Sequence, residues 1–177
     1  MIAEGAEGET KEVLCNYLGT DDFASYAKEY LNKIKEYNTE DESYGYKSKL
    51  KIADAVWVDN NLTLQEEFKN SVTNGFGAEV ENVDFSAAEK TCGIINSWCD
   101  KNTEGLIPKI ITPDLINDTT GLCLTNSLYF ESGWSGEPWN VSDTEEKFGN
   151  NEKTKYMTCA GDRYYERLSG VKGIKLN

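Results

Sequence analysis

Histidine is absent from the 177-residue chain, and this absence removes several kinds of chemistry. Without an imidazole, the sequence excludes Ser-His-Asp and Cys-His hydrolases, an imidazole general base and His-ligated zinc. Basic residues are also scarce, with 18 Lys and Arg against 31 Asp and Glu, which gives a net charge of −13. Because a phosphate backbone is bound by surfaces rich in Lys and Arg, we predict no nucleic-acid partner.

Long apolar runs and paired cysteine motifs are lacking as well. No stretch approaches the roughly 18 consecutive apolar residues of a membrane span, so we predict no membrane-spanning segment. The first residues, MIAEGAEGETKEV, contain neither a basic region nor an apolar region, which predicts no secretory signal there. The five cysteines are an odd number and form no CxxC pair, which disfavours a complete disulfide framework, a zinc ribbon or a redox motif. We predict no metal and no cofactor.

What the chain does contain is typical of one globular domain. Its 10 Tyr, 6 Phe and 4 Trp argue against disorder, which avoids aromatic residues. Its length is within the usual range for a single domain and is sufficient for a buried core. Only 3 Pro and 15 Gly interrupt the sequence, which leaves room for long helices and strands.

Apolar residues recur at helical spacing in four segments. The last of them begins at Ser86, where Ser86 and Glu89 match an S-x-x-E capping box. Cys92, Ile95 and Cys99 of this segment are three and four residues apart and share one face of the helix. The predicted helices are Gly8–Leu18, a helix that follows Thr20-Asp21-Asp22, Leu64–Phe76, and Ser86 to about Asn102.

Most of the strand patterns come after these helices. The run Lys49–Val58 is almost continuously apolar, as in a central strand, and Gly121–Phe130 has the same character. Further strands are predicted at Ala78–Phe85, Glu146–Phe148, Thr154–Cys159, Arg163–Leu168 and Val171–Leu176. Helices that come first, followed by mixed strands, indicate an α+β fold rather than a doubly wound one.

Few residues stand out as candidates for function. Asn126 interrupts an apolar strand, where its amide either is buried and holds a specific neighbour or faces solvent, and the composition does not decide between the two. Trp134 and Trp139 flank a turn and form either an aromatic platform or a seal at the end of a sheet, the latter being more common. Acidic groups such as Asp143, Glu145 and Glu146 show no spacing that singles out a catalytic pair.

Several segments, in order along the chain, resemble the serpin family. LTNSLYFESGW, residues 124–134, is similar to the serpin third strand of sheet A, and INSWCDKNTEGLIPKII, residues 95–111, is similar to serpin helix F and its exit. TLQEEFKNSVTNGFGAEVENVDFS resembles helix E and the first strand of sheet A, and DTEEKF resembles the family's D-T-x-x-x-F. AEGAEGETKEVLCNYLG resembles the stretch that leads into helix C.

The resemblance implies a partial serpin domain over residues 1–177, from helix C to about the first strand of sheet B. Helices would then pack on a mixed sheet A, with short strands belonging to sheets B and C. By this resemblance, helices A and B and the reactive-centre loop have no counterpart in these 177 residues. The sequence also departs from the family pattern at Glu131-Ser132-Gly133, where serpins have Lys-Gly before the Trp.

The resemblance also implies conformational roles for a few residues. Asn126 matches the shutter of sheet A, so its side chain is expected to be buried and to bridge strands or hold the shutter. Trp134 matches the breach, where loop insertion begins. The helix that crosses sheet A and must yield during insertion matches a segment that carries Asn96, Trp98, Thr103 and Gly105.

Members of the serpin family inhibit serine or cysteine proteases irreversibly, through insertion of the cleaved reactive loop into sheet A. The resemblance implies this activity for the family to which the chain is similar. We therefore expect a protein that is not an enzyme, whose partner is a protease, and which does not inhibit without the loop. Self-association through an exposed sheet edge is also expected. The alternatives are a non-inhibitory binding or structural module on the same scaffold, and a small carboxylate acid-base enzyme. The sequence assigns no compartment, and the family resemblance favours an extracellular one.

Overall fold

A computed structural model describes residues 1–36, 38, 48–132, 140–150, 152–158, 164–168 and 171–175. The described residues form two compact units, one ending at Glu131 and the other beginning at Ser132. The predicted breach residue Trp134, together with Trp139, lies outside the described residues. The expectation of one partial domain across residues 1–177 stays a prediction.

Four α-helices occur in the first unit, and all four were predicted from the sequence. Their bounds are α1 Gly8–Leu18, α2 Phe23–Glu36, α3 Glu66–Phe76 and α4 Ala88–Asn102, and short 3-10 helices cover Ile2–Gly5 and Pro113–Leu115. The end of α1 is set by Gly19, which adopts the left-handed conformation with φ of 73° and donates its N–H to Cys15 O at 2.8 Å. The start of α2 is capped by Asp22, whose Oδ1 accepts the Ser25 N–H at 3.1 Å.

The predicted capping box at the start of α4 is wrong. The helix begins at Ala88, and its N-terminal flanking residue Ala87 makes no side-chain capping bond. Ser86 turns instead toward Asp84, and both its N–H and its hydroxyl donate to the Asp84 carboxylate, the N–H at 3.0 Å. A carboxylate is a stronger acceptor than a neutral group, so this local turn competes successfully with the helix cap.

Three strands of the first unit form one sheet, as predicted. The strands are β1 Ser48–Asp59, β2 Glu79–Val83 and β3 Leu122–Ser132, in the order β2-β1-β3. β1 and β2 are parallel, with Ala55 opposite Glu79 and Asp59 opposite Val83. β3 runs antiparallel to β1, because Asp59, at the end of β1, donates its N–H to Gly121 O, at the start of β3, at 2.9 Å.

The central strand β1 is buried on both faces at residues 55–58, which explains the continuous apolar sequence there. On one face, Trp57 lies in a core with the sheet-facing side of α4, whose Cys92, Ile95 and Cys99 point toward the sheet as predicted. On the other face, Val56 and Val58 pack against Val72 of α3 in a second core. The sheet is therefore the middle of three layers in this unit.

The second unit contains two separate two-stranded antiparallel sheets. The strand β4 Asn140–Phe148 pairs with β5 Glu152–Thr158, and β6 Tyr164–Leu168 pairs with β7 Val171–Lys175. All four strands were predicted, although β4 begins six residues before the predicted Glu146. Of the acidic residues noted above, Glu145 lies opposite Lys155 in the β4–β5 pair, which is the solvated charge pairing expected of an exposed sheet. No helix among the described residues has the length and apolar character needed to cross a bilayer.

The contact between α2 and α3 gives a test of this architecture. A Cβ atom added at Gly75 of α3 would lie 2.6 Å from Ala24 Cβ and 2.7 Å from Ala24 Cα on α2, so the two backbones approach too closely for a side chain. We predict that Gly75→Ala lowers the free energy of unfolding by about 1–3 kcal/mol, as expected for overpacking of a tight contact. Urea unfolding followed by circular dichroism measures this change.

The matched control is Gly93→Ala in α4. A Cβ atom at Gly93 meets nothing within 4 Å, so this substitution should raise the free energy of unfolding by about 0.5–1 kcal/mol through higher helix propensity. Equal effects of the two substitutions would contradict the close α2–α3 contact.

Candidate functional site

Asn126 lies near the middle of β3, and its surroundings differ from those expected. Its Nδ2 donates to Asp54 Oδ1 on β1 at 3.0 Å, so the side chain does bridge two strands. The side chain is exposed, however, and the prediction that it is buried is wrong. The reason is strand alternation: Thr125 and Ser127 face α4, which places Asn126 on the opposite face, where the described residues leave it open to solvent.

Beneath α4, the sheet holds a buried aromatic pair. Trp57 of β1 donates its Nε1–H to Thr125 Oγ1 of β3 at 3.0 Å, which connects two neighbouring strands inside the core. Trp98 of α4 meets Trp57 edge to face, with ring centroids 6.1 Å apart and an interplanar angle of 88°. Trp98, predicted to belong to the helix across the sheet, therefore contacts the central strand directly.

Two polar groups in this buried layer have no hydrogen-bond partner among the described residues. They are Trp98 Nε1 on α4 and Ser127 Oγ on β3. An unsatisfied buried polar group destabilises the folded state by about 1–3 kcal/mol. The layer between α4 and β3 is therefore held by apolar contact, and its polar groups are not fully paired.

Asn96 attaches α4 to the segment that follows it. Its Oδ1 accepts the N–H groups of Ile110 and Ile111 at 2.9 and 3.1 Å, and its Nδ2 donates to Ile111 O at 2.9 Å. The amide thus pairs with the backbone as a neighbouring strand would. Asn96, predicted to belong to the helix across sheet A, therefore fixes that helix to the backbone that follows it.

The end of α4 is fixed by its own side chains. Asn102 Nδ2 donates to Trp98 O at 2.9 Å. The Thr103 hydroxyl donates to Cys99 O at 2.9 Å and accepts the Ile107 N–H at 3.0 Å. Both side chains are buried, and the Thr103 hydroxyl gives the Ile107 N–H a partner, while Cys99 O also accepts the Thr103 N–H at 2.9 Å.

Beyond Thr103, the backbone enters the left-handed region for two residues. Glu104 has φ of 52° and Gly105 has φ of 82°. The Gly105 N–H donates to Asp100 O at 2.9 Å, which is the long bond of a Schellman turn. In that turn the first left-handed position is usually glycine, and here it is Glu104, which is the non-glycine residue with positive φ in the described part of the chain.

The Glu104 side chain reaches the beginning of β1. Its Oε1 lies 2.7 Å from Lys49 Nζ and 4.0 Å from Lys51 Nζ, and Lys51 Nζ donates to Lys101 O at 3.5 Å. The hydrogen bond from Lys49, together with its charge, lowers the pKa of Glu104. These groups connect the C-terminal end of α4 to the central strand.

Lys49 also joins this end of α4 to β3. Its Nζ lies 5.4 Å from the centre of the Tyr129 ring, and the Tyr129 hydroxyl donates to Glu131 Oε2 at 2.6 Å. The hydrogen bond with Glu131 raises the pKa of Tyr129. Sequence reasoning missed this cluster. The available signals were the i, i+2 spacing of Lys49 and Lys51 on one strand face and a charged residue just before Gly105 at a helix end.

The titratable groups offer no catalytic arrangement among the described residues. Burial raises the pKa of the thiols of Cys92, Cys99 and Cys123, which disfavours the thiolate form that acts as a nucleophile. Every described carboxyl group with a shifted pKa has it lowered, whereas a carboxylate enzyme needs one acid with a raised pKa. Within the same residues, no group of three or more Cys, Asp or Glu side chains is placed to hold a metal ion.

Comparison with known proteins gives one consistent result. A family model described as Serpin (serine protease inhibitor) matches residues 1–176. Serpin-ZXA of Oryza sativa subsp. japonica is 30% identical over 182 residues, which cover 99% of this chain and 46% of that protein. Serpin-Z2A of Triticum aestivum is 31% identical over 182 residues, with coverage of 99% and 45%.

Solved structures agree with the sequence comparisons. The native stressed conformation of Arabidopsis AtSerpin1 superposes with a TM-score of 0.75 at 26% identity, covering 97% of this chain and 44% of that one. Ovalbumin from emu, Dromaius novaehollandiae, superposes with a TM-score of 0.74 at 16% identity, covering 99% and 53%, and this likeness concerns the fold alone.

The attachment made by Asn96 is open to a direct test. We predict that Asn96→Ala lowers the free energy of unfolding by about 1–3 kcal/mol, because it leaves backbone groups of residues 110 and 111 unpaired. Native-state hydrogen exchange should show faster exchange of the Ile111 amide. Ser97→Ala, at the exposed neighbouring position, is the matched control and should change neither quantity. Unchanged Ile111 exchange in Asn96→Ala would contradict the proposed attachment.

Proposed function

The chain belongs to the serpin family, and from this premise we propose that it takes part in the inhibition of a serine or cysteine protease by accepting a strand at the outer edge of β3. The family is one of protease inhibitors. The chain spans about half the length of the curated relatives that it matches, with 46% of Serpin-ZXA covered. The mechanism and the protease partner are therefore part of the proposal.

The observation that supports this proposal is the position of β3 in its sheet. β3 is the 11-residue strand at one end of the order β2-β1-β3, and no described strand pairs with its outer edge. At about 3.3 Å per residue, this edge offers roughly 36 Å of backbone donors and acceptors. Unpaired edges of this kind recruit extended segments through main-chain hydrogen bonds.

The surroundings of this edge suit an extended segment better than a small molecule. On the α4 side, β3 presents the small side chains of Thr125 and Ser127, both buried. On the opposite side it presents Leu128 and Phe130, which are exposed. A strand that pairs here would extend both surfaces, and it would cover apolar area that now contacts water.

The proposed shutter role of Asn126 fits the same event. The bond from Asn126 to Asp54 holds β3 beside β1, on the side of β3 away from the free edge. We propose that this bond keeps β1 and β3 together while the edge of β3 receives another strand. The breach role of Trp134 stays a prediction.

Strand acceptance is tested with a defined peptide. The 177-residue chain is mixed with acetyl-(Thr-Ala)6-amide, a peptide whose small and β-branched side chains suit the buried face, and complex formation is followed by native mass spectrometry. We expect a complex of one chain and one peptide. The same peptide N-methylated at alternate residues lacks the main-chain donors on one edge and should not bind.

A substitution in β3 gives the matching test on the protein. Because Gly121 O pairs with Asp59, a regular antiparallel ladder directs the N–H of Leu128 to the outer edge. Leu128→Pro should therefore abolish peptide uptake, and Leu128→Ala should retain it. Equal uptake of the methylated and unmethylated peptides, or uptake by Leu128→Pro, would contradict strand addition at this edge.

Two further outcomes concern the 177-residue chain by itself. With trypsin, chymotrypsin, elastase and papain, we expect cleavage or no reaction, and no complex that survives SDS. Sizing chromatography should show self-association in the absence of peptide, because a second copy can occupy the same edge. A covalent protease complex, or a stable monomer that takes up no peptide, would contradict the proposal.

A further inference from the structure

We propose that Glu104, Lys49 and Lys51 form a charge latch that holds the C-terminal end of α4 on the sheet and limits how often the layer beneath that end opens. The proposal names a regulatory element of the strand-accepting sheet. Its relevance to inhibition rests on the proposed function, whereas its test does not.

Glu104 has a backbone conformation that is unusual for a residue with a side chain. A residue with a Cβ atom is disfavoured in the left-handed region, and only glycine enters it freely. Glu104 nevertheless has φ of 52° at the position of the Schellman turn that glycine usually fills. An unfavourable backbone conformation persists when surrounding contacts favour it, and the contacts here are the bond from Gly105 N–H to Asp100 O and the ion pair of the Glu104 carboxylate.

The contacts of the Glu104 carboxylate connect the end of α4 to the sheet. Lys49, 2.7 Å from Glu104, and Lys51, 4.0 Å away, are both on β1. Lys51 also donates to Lys101 O in the last turn of α4, where a cation suits the carbonyl groups at a helix end. Lys49 lies over the Tyr129 ring of β3. One end of the helix is thus bound to two strands of the sheet through charged groups.

The layer beneath this end of α4 is less completely hydrogen-bonded than the helix end itself. Between α4 and β3, Trp98 Nε1 and Ser127 Oγ have no partner among the described residues. Apolar packing in this layer is not accompanied by complete hydrogen bonding. The charged contacts of Glu104 with Lys49 and Lys51 therefore contribute a larger share of the free energy that holds this end of α4 on the sheet.

The protein contains its own reporters of this opening. Cys99 is 2% exposed and lies near the C-terminal end of α4, and Cys92 is 4% exposed and lies near the N-terminal end. A thiol reagent reaches either cysteine only when α4 separates from the sheet locally or the fold opens globally. Labelling with N-ethylmaleimide, followed by peptide mass spectrometry, measures the two rates separately.

Glu104→Gln removes the charge and keeps the size of the side chain. We expect the labelling rate of Cys99 to rise about two- to five-fold, in line with the strength of partly exposed ion pairs, and the rate of Cys92 to stay within error. Glu89→Gln, which removes one exposed acidic charge from the first turn of the same helix, is the matched control and should leave the ratio of the two rates unchanged.

Salt and a second variant separate a charge latch from a merely structural role. At 1 M NaCl, where the screening length is about 3 Å, Cys99 of the unmodified chain should label as fast as in Glu104→Gln, and salt should have no effect on that variant. Glu104→Gly relieves the backbone conformation while removing the carboxylate. It should therefore label as fast as Glu104→Gln and unfold at a higher urea concentration than Glu104→Gln.

Exchange of the charges completes the experiment. Glu104→Lys should accelerate Cys99 labelling more than Glu104→Gln, because it places like charges together, and adding Lys49→Glu to it should restore a slower rate. The proposal is overturned if Glu104→Gln labels Cys99 at the original rate. It is also overturned if Cys92 and Cys99 accelerate equally, which would indicate global opening. Because no peptide or protease is used, failure of strand acceptance would leave these outcomes unaffected.

Discussion

Burial of β1 on both faces is the constraint on which the rest of the first unit depends. A strand with apolar side chains on two sides needs a covering layer on each side, and α4 and α3 provide them. Trp57 shows how closely the layers are linked, since its ring meets Trp98 of α4 while its indole N–H is bound by Thr125 of the next strand. Through this one side chain, the central strand contacts both α4 and β3.

The attachment of α4 is divided between two kinds of interaction along its length. Apolar contacts run along the whole sheet-facing side of the helix, through Cys92, Ile95, Trp98 and Cys99, and act without regard to direction. Directed bonds are added near both ends: Thr91 donates to Asp84 O before the helix, and Glu104 meets two lysines of β1 beyond it. Directed bonds break over short distances, so these end contacts are more sensitive to a small displacement of the sheet than the apolar contacts are.

Much of this architecture was predictable because local pattern and tertiary environment agree. The helical spacing of apolar residues in α4 and the continuous apolar run of β1 reflect which faces are buried. Both elements could therefore be predicted from the sequence. The sequence placed Asn126 on the correct strand but not on the correct face. Neighbouring residues of a strand point to opposite faces of the sheet, and α4 covers the face of Thr125 and Ser127, which leaves Asn126 exposed. Ser86 matched a capping motif, but its N–H and hydroxyl donate to the Asp84 carboxylate two residues earlier instead of capping the helix. The contact of Glu104 with Lys49 joins residues 55 apart, and no local pattern reports such a pair.

The left-handed backbone at Glu104 also affects which substitutions are favoured at this position during evolution. Both glutamate codons become glycine codons by a single base change, and glycine is the residue that this conformation favours most. Such a change would ease the backbone and at the same time delete the carboxylate that meets Lys49 and Lys51. Selection for folding alone would favour that step, so glutamate is expected to persist here only in lineages where attachment of the helix end is itself under selection.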